Sequence, residues 1–535
     1  MLAVVYCVAK LGLLSIYAVH TQYVMDEYWQ GGESLYLRDF YATYDPVKTV
    51  LYTYFFAFAR FVTNTSSELM RVARLQSLVL VFAMLALLWK TWRHALELKR
   101  DEALFALGVL LSFSNFMERA ARVRSDHVAL FFDVAAVAVV CRGNITSRWR
   151  AFFGGALIGL AFLSTQKAAF AALAMGTAMT ITLLTTAGIR RTIITGASCL
   201  GGFLVALGAY ALYFSGRGFN SVIKPAMTRP MDIVVNAETY YPNMRYYVWQ
   251  TLSRNWLPYL LTVVGLAIAA ANWKRATPAQ RFAMIFSVVF ATLVFTHNQP
   301  WPYVFVSAMV FLAPWSAMVR VGALVRIVLL LALSFSFVRN VHYLEKDNAL
   351  QDAVSDQAER LLAPADRYVD GLGMITTRRQ AGHVWWDGMA IQRLRYDASK
   401  GIFSDFAPMI ADQPKLFILN YRVLGVAPIL RTLFEHSYVR VHRNILMSGV
   451  QVGAGETVFA PRWTGEYALY GEGARLAIDG VEVRTPVRLM AGRVYKLRLF
   501  APARRPLFLL PAELPLERVE PVTAPPLELF DGVYE

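Results

Sequence analysis

The sequence predicts an α-helical polytopic membrane protein of about 11 transmembrane helices with a C-terminal extracytoplasmic α/β plus β-sandwich region. Three observations carry this. Hydrophobic residues make up 56% of the 535 positions, and the mean hydropathy is +0.41; a soluble domain has about 45–50% apolar residues. Apolar runs, the longest about 18 residues or more, recur over roughly the first 340 positions, and at about 1.5 Å per residue such a run crosses a bilayer core. Beyond them, short alternating segments take over.

The expected spans are residues 2–19, 69–89, 103–116, 128–140, 152–164, 168–186, 192–214, 256–271, 282–296, 303–318 and 323–338. The N-terminus has no charged n-region and no small-residue cleavage site, so the first span reads as a retained helix. Residues 20–68 form a first loop dense in Tyr and Phe, which suits one or two helices at headgroup height. With helix 1 running outward, all five predicted inner loops are basic: Lys90, Arg93, Lys99 and Arg100; Arg142, Arg148 and Arg150; Arg190 and Arg191; Lys274, Arg275 and Arg281; Arg320 and Arg326. Short basic loops belong on the cytoplasmic side.

This bias, with binding of anionic lipid groups, accounts for the net charge of +16 without any nucleic-acid partner. Cys7, Cys141 and Cys199 lie in or beside apolar segments, so neither disulfides nor a Cys metal site is expected. The C-terminal part divides into an α/β region, 341–449, and a β-sandwich module with a Pro-rich tail, 450–535. Asp479-Gly480 between two alternating runs marks a hairpin.

The unusual charges gather on the predicted outer face. Asp26 and Glu27 follow the first span directly. Carboxylates so near lipid are costly unless solvated, paired or working. The plain alternative is helix capping, favoured by the helix dipole. Arg119, Arg122, Arg124 and Lys167 break the topology bias and suit an anionic ligand, although snorkelling at helix ends is their ordinary role. Asp126 suits an N-cap equally well. His297 and Tyr303 sit in an aromatic turn, where an interfacial belt and helix-end hydrogen bonds are the competing roles. Lys10, within the first span, is assigned no function.

No phosphate-binding glycine loop of the soluble nucleotide enzymes occurs. Outside the cytoplasm, group transfer needs a donor that crosses as a lipid. A prenyl-phosphate sugar fits, because Arg or Lys neutralises the leaving phosphate and a carboxylate takes the acceptor proton.

Asp26-Glu27-Tyr28-Trp29-Gln30 after a first transmembrane helix resembles the first-loop signature of the polytopic C-type glycosyltransferases, which use polyprenyl-phosphate sugars. The wording is similar to that of the dolichol-phosphate-mannose enzymes. The layout, with its C-terminal extracytoplasmic region, is more similar to bacterial aminoarabinose and protein mannosyl transferases. Arg124-Ser125-Asp126 resembles the second acidic motif, and Lys167 the lysine that meets donor phosphate. The turn His297-Asn298-Gln299-Pro300-Trp301-Pro302-Tyr303 resembles the late outer loop that lines the donor site. It departs from the His-Lys-Glu motif of the mannosyl enzymes, which puts a mannose donor in question. The resemblance covers residues 1–340.

The resemblance implies Asp26 as general base and Glu27 as a positioning acid. It implies Arg122, Arg124 and Lys167 on the donor phosphate, and Asp126, His297 and Tyr303 at the substrate. The partners are then a polyprenyl-phosphate-linked sugar, membrane lipids, and an extracytoplasmic glycan, lipid or protein acceptor. The expected location is a bacterial inner membrane. No cofactor is expected, although a divalent metal beside Asp26 and Glu27 stays open. The competing class is a transporter or flippase of a lipid-linked anionic substrate, which would place charge near the bilayer midplane; a scaffold is the third.

Overall fold

The computed structural model describes residues 1–35, 51–215, 244–383, 386, 388–401, 406–453, 455–470, 475–500, 507–514 and 522–530. Arg38, Asp39, Asp45 and Lys48 of the first loop lie outside the described residues, as does most of the loop expected at 215–255.

Helix α1 (Leu2–His20) leads into α2 (Met25–Leu35) and α3 (Leu51–Phe56) of the first loop. The bundle continues through α4 (Ser66–His94), α5 (Arg100–Leu110), α6 (Ser114–Arg119), α7 (Ser125–Cys141), α8 (Arg148–Ser164), α9 (Ala169–Thr186) and α10 (Ile189–Ser215). Then come α11 (Tyr246–Arg254), α12 (Trp256–Ala271), α13 (Pro278–Thr296), α14 (Val304–Leu312), α15 (Ala323–Ser334) and α16 (Ser336–Tyr343).

Every expected span is thus helical, but their lengths differ. Six helical stretches among the described residues are long and apolar enough to cross a membrane: 2–20, 66–94, 166–186, 189–213, 278–296 and 323–343. The bent pair α11 and α12 adds a seventh if it is one span. The protein is therefore multi-pass, with fewer full-length crossings than the eleven expected. Helices α7 and α8 are continuous but only 17 residues long, and two other segments are interrupted. Residues 103–116 split into α5 and α6 at Leu111–Phe113, and α14 gives way to a 3₁₀ stretch, Ala313–Met318, whose second residue, Pro314, lacks a backbone donor. Small residues bring α8 and α10 into backbone contact: a Cβ on Gly155 would strike the Cys199 carbonyl, and one on Gly202 the Phe152 carbonyl.

The C-terminal region begins with α17 (Ala349–Arg360). A five-stranded mixed sheet follows, in the order β2 (Arg379–Gln380), β1 (Arg367–Val369), β3 (Leu416–Ile418), β5 (Ile445–Ser448), β4 (Tyr438–His442). Two antiparallel four-stranded sheets complete the chain. One is ordered β10 (Val481–Val483), β9 (Leu476–Ile478), β12 (Tyr495–Leu499), β7 (Thr457–Phe459). The other is ordered β11 (Val487–Leu489), β8 (Gly465–Tyr470), β13 (Leu507–Pro511), β6 (Val450–Val452). Asp479 and Gly480 turn the β9–β10 hairpin at φ 51° and 84°, the left-handed pair such a two-residue turn needs.

One hydrophobic core joins the two regions. Tyr23, Val24, Tyr28, Met70 and Val123 from the membrane side pack with Val354, Tyr368, Ile418, Met447 and Phe530 from the C-terminal side. The segment between α1 and α2 is fastened to the same side by backbone bonds from Gln22 N to Lys346 O, 2.8 Å, and from Asn348 N to His20 O, 3.0 Å. Gln351 adds a side-chain pair, accepting from Tyr23 N–H at 2.7 Å and donating to Tyr23 O at 3.0 Å. Helix α2 therefore lies between the bundle and the C-terminal region.

Candidate active site

The site forms where α2 meets the start of α7. Glu27 is fully buried. Its Oε1 accepts from Arg74 Nε at 2.8 Å and from the Val123 N–H at 3.0 Å. Its Oε2 accepts from Arg74 Nη2 at 2.6 Å, Arg122 Nη1 at 2.9 Å and the Val24 N–H at 2.9 Å. The last of these is the reach-back half of a capping box, so the plain capping role is present, and Glu27 plays it. Burial alone would raise this carboxyl; Arg74, then Arg122 and the Val123 N–H, outweigh it and hold it at about 2.

Arg122 faces inward. Besides Glu27 it donates to Glu118 O at 3.0 Å, to Gln22 O at 2.9 Å and to the Tyr343 hydroxyl. Arg74 likewise donates to Gln22 O at 2.9 Å and to Thr21 O. Sequence reading left Arg74 unassigned. A charge inside an apolar segment, deeper than Arg71 in the same span, is the available signal, because such a charge needs a buried partner.

Asp26 points the other way and keeps 25% of its side-chain surface exposed. Arg124 Nη1 bonds its Oδ2 at 2.7 Å. The same guanidinium reaches Asp126 Oδ2 at 3.3 Å, so one buried arginine spans two carboxylates. Asp126 sits in the first turn of α7, after Arg124 at the N-cap position, and is therefore not the N-cap itself. Its Oδ1 lies 3.3 Å from Thr165 Oγ1 and 3.5 Å from Lys167 Nζ.

Tyr303 closes the group. Lys167 Nζ donates to its hydroxyl at 3.1 Å, and the Arg124 guanidinium carbon lies 3.4 Å from its ring centroid. Lys167 retains 30% side-chain exposure, whereas Arg124 retains 1%. Lys167 is thus the cation of this group with an open face. His297 stacks edge-on against Phe170 at 5.3 Å, and burial, then the Lys167 charge, push its imidazole down to about 4. Beneath Lys167 and Tyr303 a narrow cleft with only about 30 Å³ of free space runs past Phe170, Phe290 and Val294 to Asp133. Asp133 lies two helical turns below Asp126 on α7, and its Oδ1 has no hydrogen-bond partner. Lys10 lies elsewhere, donating to Asn340 Oδ1 at 2.6 Å and Ser336 Oγ at 2.7 Å.

The structure therefore joins Asp26, Arg124, Asp126, Lys167 and Tyr303 in one chain of contacts, with His297 at its edge. It sets Glu27 and Arg122 behind them in a separate buried group. No three His, Cys, Asp or Glu side chains gather among the described residues. Glu27 is enclosed by Arg74 and Arg122, whereas Asp26 shares its Oδ2 with Arg124 and stays partly exposed.

By sequence, the chain matches no family model and no curated protein. By structure, it is similar to ArnT from Cupriavidus metallidurans in the apo state, with a TM-score of 0.54 at 11% identity, over 83% of this chain and 97% of that one. ArnT from the same organism bound to undecaprenyl phosphate aligns equally well, with a TM-score of 0.54 at 12% identity over the same shares. The archaeal oligosaccharyltransferase AglB from Archaeoglobus fulgidus, in complex with an inhibitory peptide and a dolichol-phosphate, follows at 0.51 and 11% identity, over 92% of this chain and 74% of that one. The chain thus shares its fold with ArnT and AglB, in line with the fold that the first-loop resemblance implies.

Proposed function

We propose that this protein is a membrane glycosyltransferase that moves a sugar from a polyprenyl-phosphate donor to a hydroxyl of an extracytoplasmic acceptor. The observation that carries the reading is Asp26, a partly exposed carboxylate held by the buried Arg124, in one contact group with the partly exposed side chain of Lys167. Two neighbours in fold are bound to undecaprenyl phosphate and dolichol-phosphate, which supports a donor of that class here.

Asp26 takes the proton of the acceptor hydroxyl as its oxygen bonds to the anomeric carbon. The bond from that carbon to the phosphate oxygen breaks on the opposite face, so the sugar inverts. The prenyl phosphate leaves with the electron pair, and Lys167 offsets its added charge. Arg124 orients Asp26 and Asp126, and Tyr303 holds Arg124 and Lys167 apart at its ring. We assign Glu27 and Arg122 to supporting this layer from behind, not to proton transfer or phosphate binding. The site then faces the periplasm of a bacterial inner membrane, in line with the basic loops on the opposite face.

The deciding experiment is a transfer assay. Purified protein is given a panel of radiolabelled polyprenyl-phosphate sugars with native membrane lipid, polysaccharide and protein acceptors, as wild type and Asp26→Asn. Transfer of one sugar by the wild type alone establishes donor, reaction and base together. A second reading, a lipid-linked substrate transporter, is favoured by the unpartnered Asp133 oxygen within the bundle. Donor flux across liposomes without transfer would replace the enzyme reading with that one.

A further inference from the structure

On the same face of the bundle, away from Asp26, three short helices converge. Helix α6 carries Glu118 and Arg119, α11 ends at Arg254, and α16 carries Arg339. Their meeting is fixed by hydrogen bonds. Ser114 N–H donates to Asn255 Oδ1 at 2.7 Å, and Thr251 Oγ1 donates to Asn115 Oδ1 at 2.7 Å. Arg339 Nε bonds Glu118 Oε1 at 3.1 Å. Arg254 directly precedes Asn255, whose Oδ1 accepts from Ser114 on the helix that carries Glu118 and Arg119. Three arginines and one glutamate thus share this meeting point, an excess of two positive charges, with Arg339 paired to Glu118.

The surroundings of this cluster are those of a bilayer headgroup layer. Helix α11 turns 86° from α12, so it lies along the membrane plane if α12 crosses it. It exposes Tyr246 and Trp249, and Trp256 follows at the bend; such amphipathic rings prefer headgroup depth. Val338 and Val341 flank Arg339 on α16 and are exposed to 72% and 57%. Both valines lie in the last turns of the 323–343 span, so their exposed face is one turned to lipid chains. Arg254 is exposed, and Arg339 is partly so. Guanidinium groups match phosphate oxygens in geometry as well as charge.

We propose that Arg254 and Arg339, with Arg119 behind them, bind the phosphate of an anionic lipid in the leaflet on the side of the C-terminal region. The lipid sits beside the candidate transfer site and is separate from its donor. Helix α6 links the two places: Asn115 Nδ2 donates to Pro302 O at 3.0 Å, next to Tyr303, and Arg122 follows Glu118 by one helical turn. A bound headgroup would stiffen α6 and, through it, the backbone that carries Arg122 and Tyr303.

The test is lipid selectivity of the full-length protein in phosphatidylcholine nanodiscs containing a minority of headgroup-labelled phosphatidylglycerol. Each arginine near an anionic surface is worth about a fivefold preference, so Arg254→Gln should lower phosphatidylglycerol enrichment about fivefold and Arg254→Gln with Arg339→Gln roughly 30-fold. Arg320→Gln, among the predicted inner loops, should leave this enrichment unchanged. If the double variant does not fold, Arg254→Gln decides, because that side chain is exposed. Enrichment unchanged in Arg254→Gln, or lost equally in Arg320→Gln, would overturn the proposal. So would displacement of the lipid by millimolar inorganic phosphate as effective as that by excess unlabelled phosphatidylglycerol. None of these readouts depends on whether the protein transfers sugar.

Discussion

Glu27 and Arg74 form a two-pronged ion pair, Oε1 to Nε at 2.8 Å and Oε2 to Nη2 at 2.6 Å, with both side chains out of contact with solvent. Helix α2 is thereby joined to α4, a membrane-spanning helix, at the residue directly after the candidate base. Arg122 joins the same carboxylate from the segment before α7. The position of Asp26 is set by a charge group in which Asp26 takes no part.

Glu27→Gln should leave Arg74 and Arg122 buried beside a neutral amide. Breaking a buried pair by removing one partner costs about 3–5 kcal/mol. We expect a clear fall in thermal midpoint in detergent, with transfer lost alongside it. A full-activity variant with an unchanged midpoint would contradict the supporting role.

Glu27 also fixes the sign of an acid effect. Its carboxyl is held at about 2 in the folded protein, below its ordinary value of 4.5. A depressed carboxylate stabilises fully above its unfolded pKa, and that contribution is lost as pH falls toward the folded value. Stability should therefore fall between about pH 4.5 and 2, by about 3 kcal/mol from this group. Denaturant midpoints of wild type and Glu27→Gln should converge over that window.

Asp26→Asn should keep the fold, because the side chain is partly exposed and the amide oxygen still accepts from Arg124. Loss of a positioned base costs about 10²–10⁴-fold in turnover. Turnover should collapse while donor-phosphate binding persists, and parallel loss of both would speak against proton transfer.

Lys167→Ala should weaken donor binding, since a hydrogen bond to a charged group is worth about 1.5–3 kcal/mol, or roughly 10–150-fold in KM. Tyr303→Phe removes only the hydroxyl contact and should give a smaller rise. Titration with undecaprenyl phosphate, read by intrinsic fluorescence, separates the two variants.

Phe530 packs edge-on against Tyr28 at 6.2 Å and Tyr421 at 5.7 Å, and Gln22 Nε2 donates to Leu529 O at 2.9 Å. The C-terminal tail thus touches the helix that carries Asp26. Phe530→Ala should cost about 3–5 kcal/mol. Phe530→Leu, nearer in volume, should restore most of the thermal midpoint. If turnover stays low in that stable variant, the tail positions Asp26 as well as stabilising it.

Much of this protein was legible in the linear chain. The apolar runs specified the helical spans, because any backbone crossing lipid must satisfy its own hydrogen bonds. The alternation around Asp479-Gly480 specified the β9–β10 hairpin, since that turn demands two left-handed residues. Asp26, Arg124, Asp126, Lys167 and Tyr303 stood out as charges and aromatics out of place near one membrane face, and the fold brings them into contact. What the chain order left open was which of two adjacent acids meets Arg124 with part of its surface exposed and which faces the core. Side chains one step apart on a helix point about 100° apart, so Asp26 and Glu27 cannot share an environment. Only the arrival of Arg74 from α4 and Arg122 from before α7 decided that Glu27 is the buried one. Those partners lie 47 and 95 residues away in sequence. No local pattern encodes that meeting, because it exists only once α2 is clamped between the bundle and the C-terminal region.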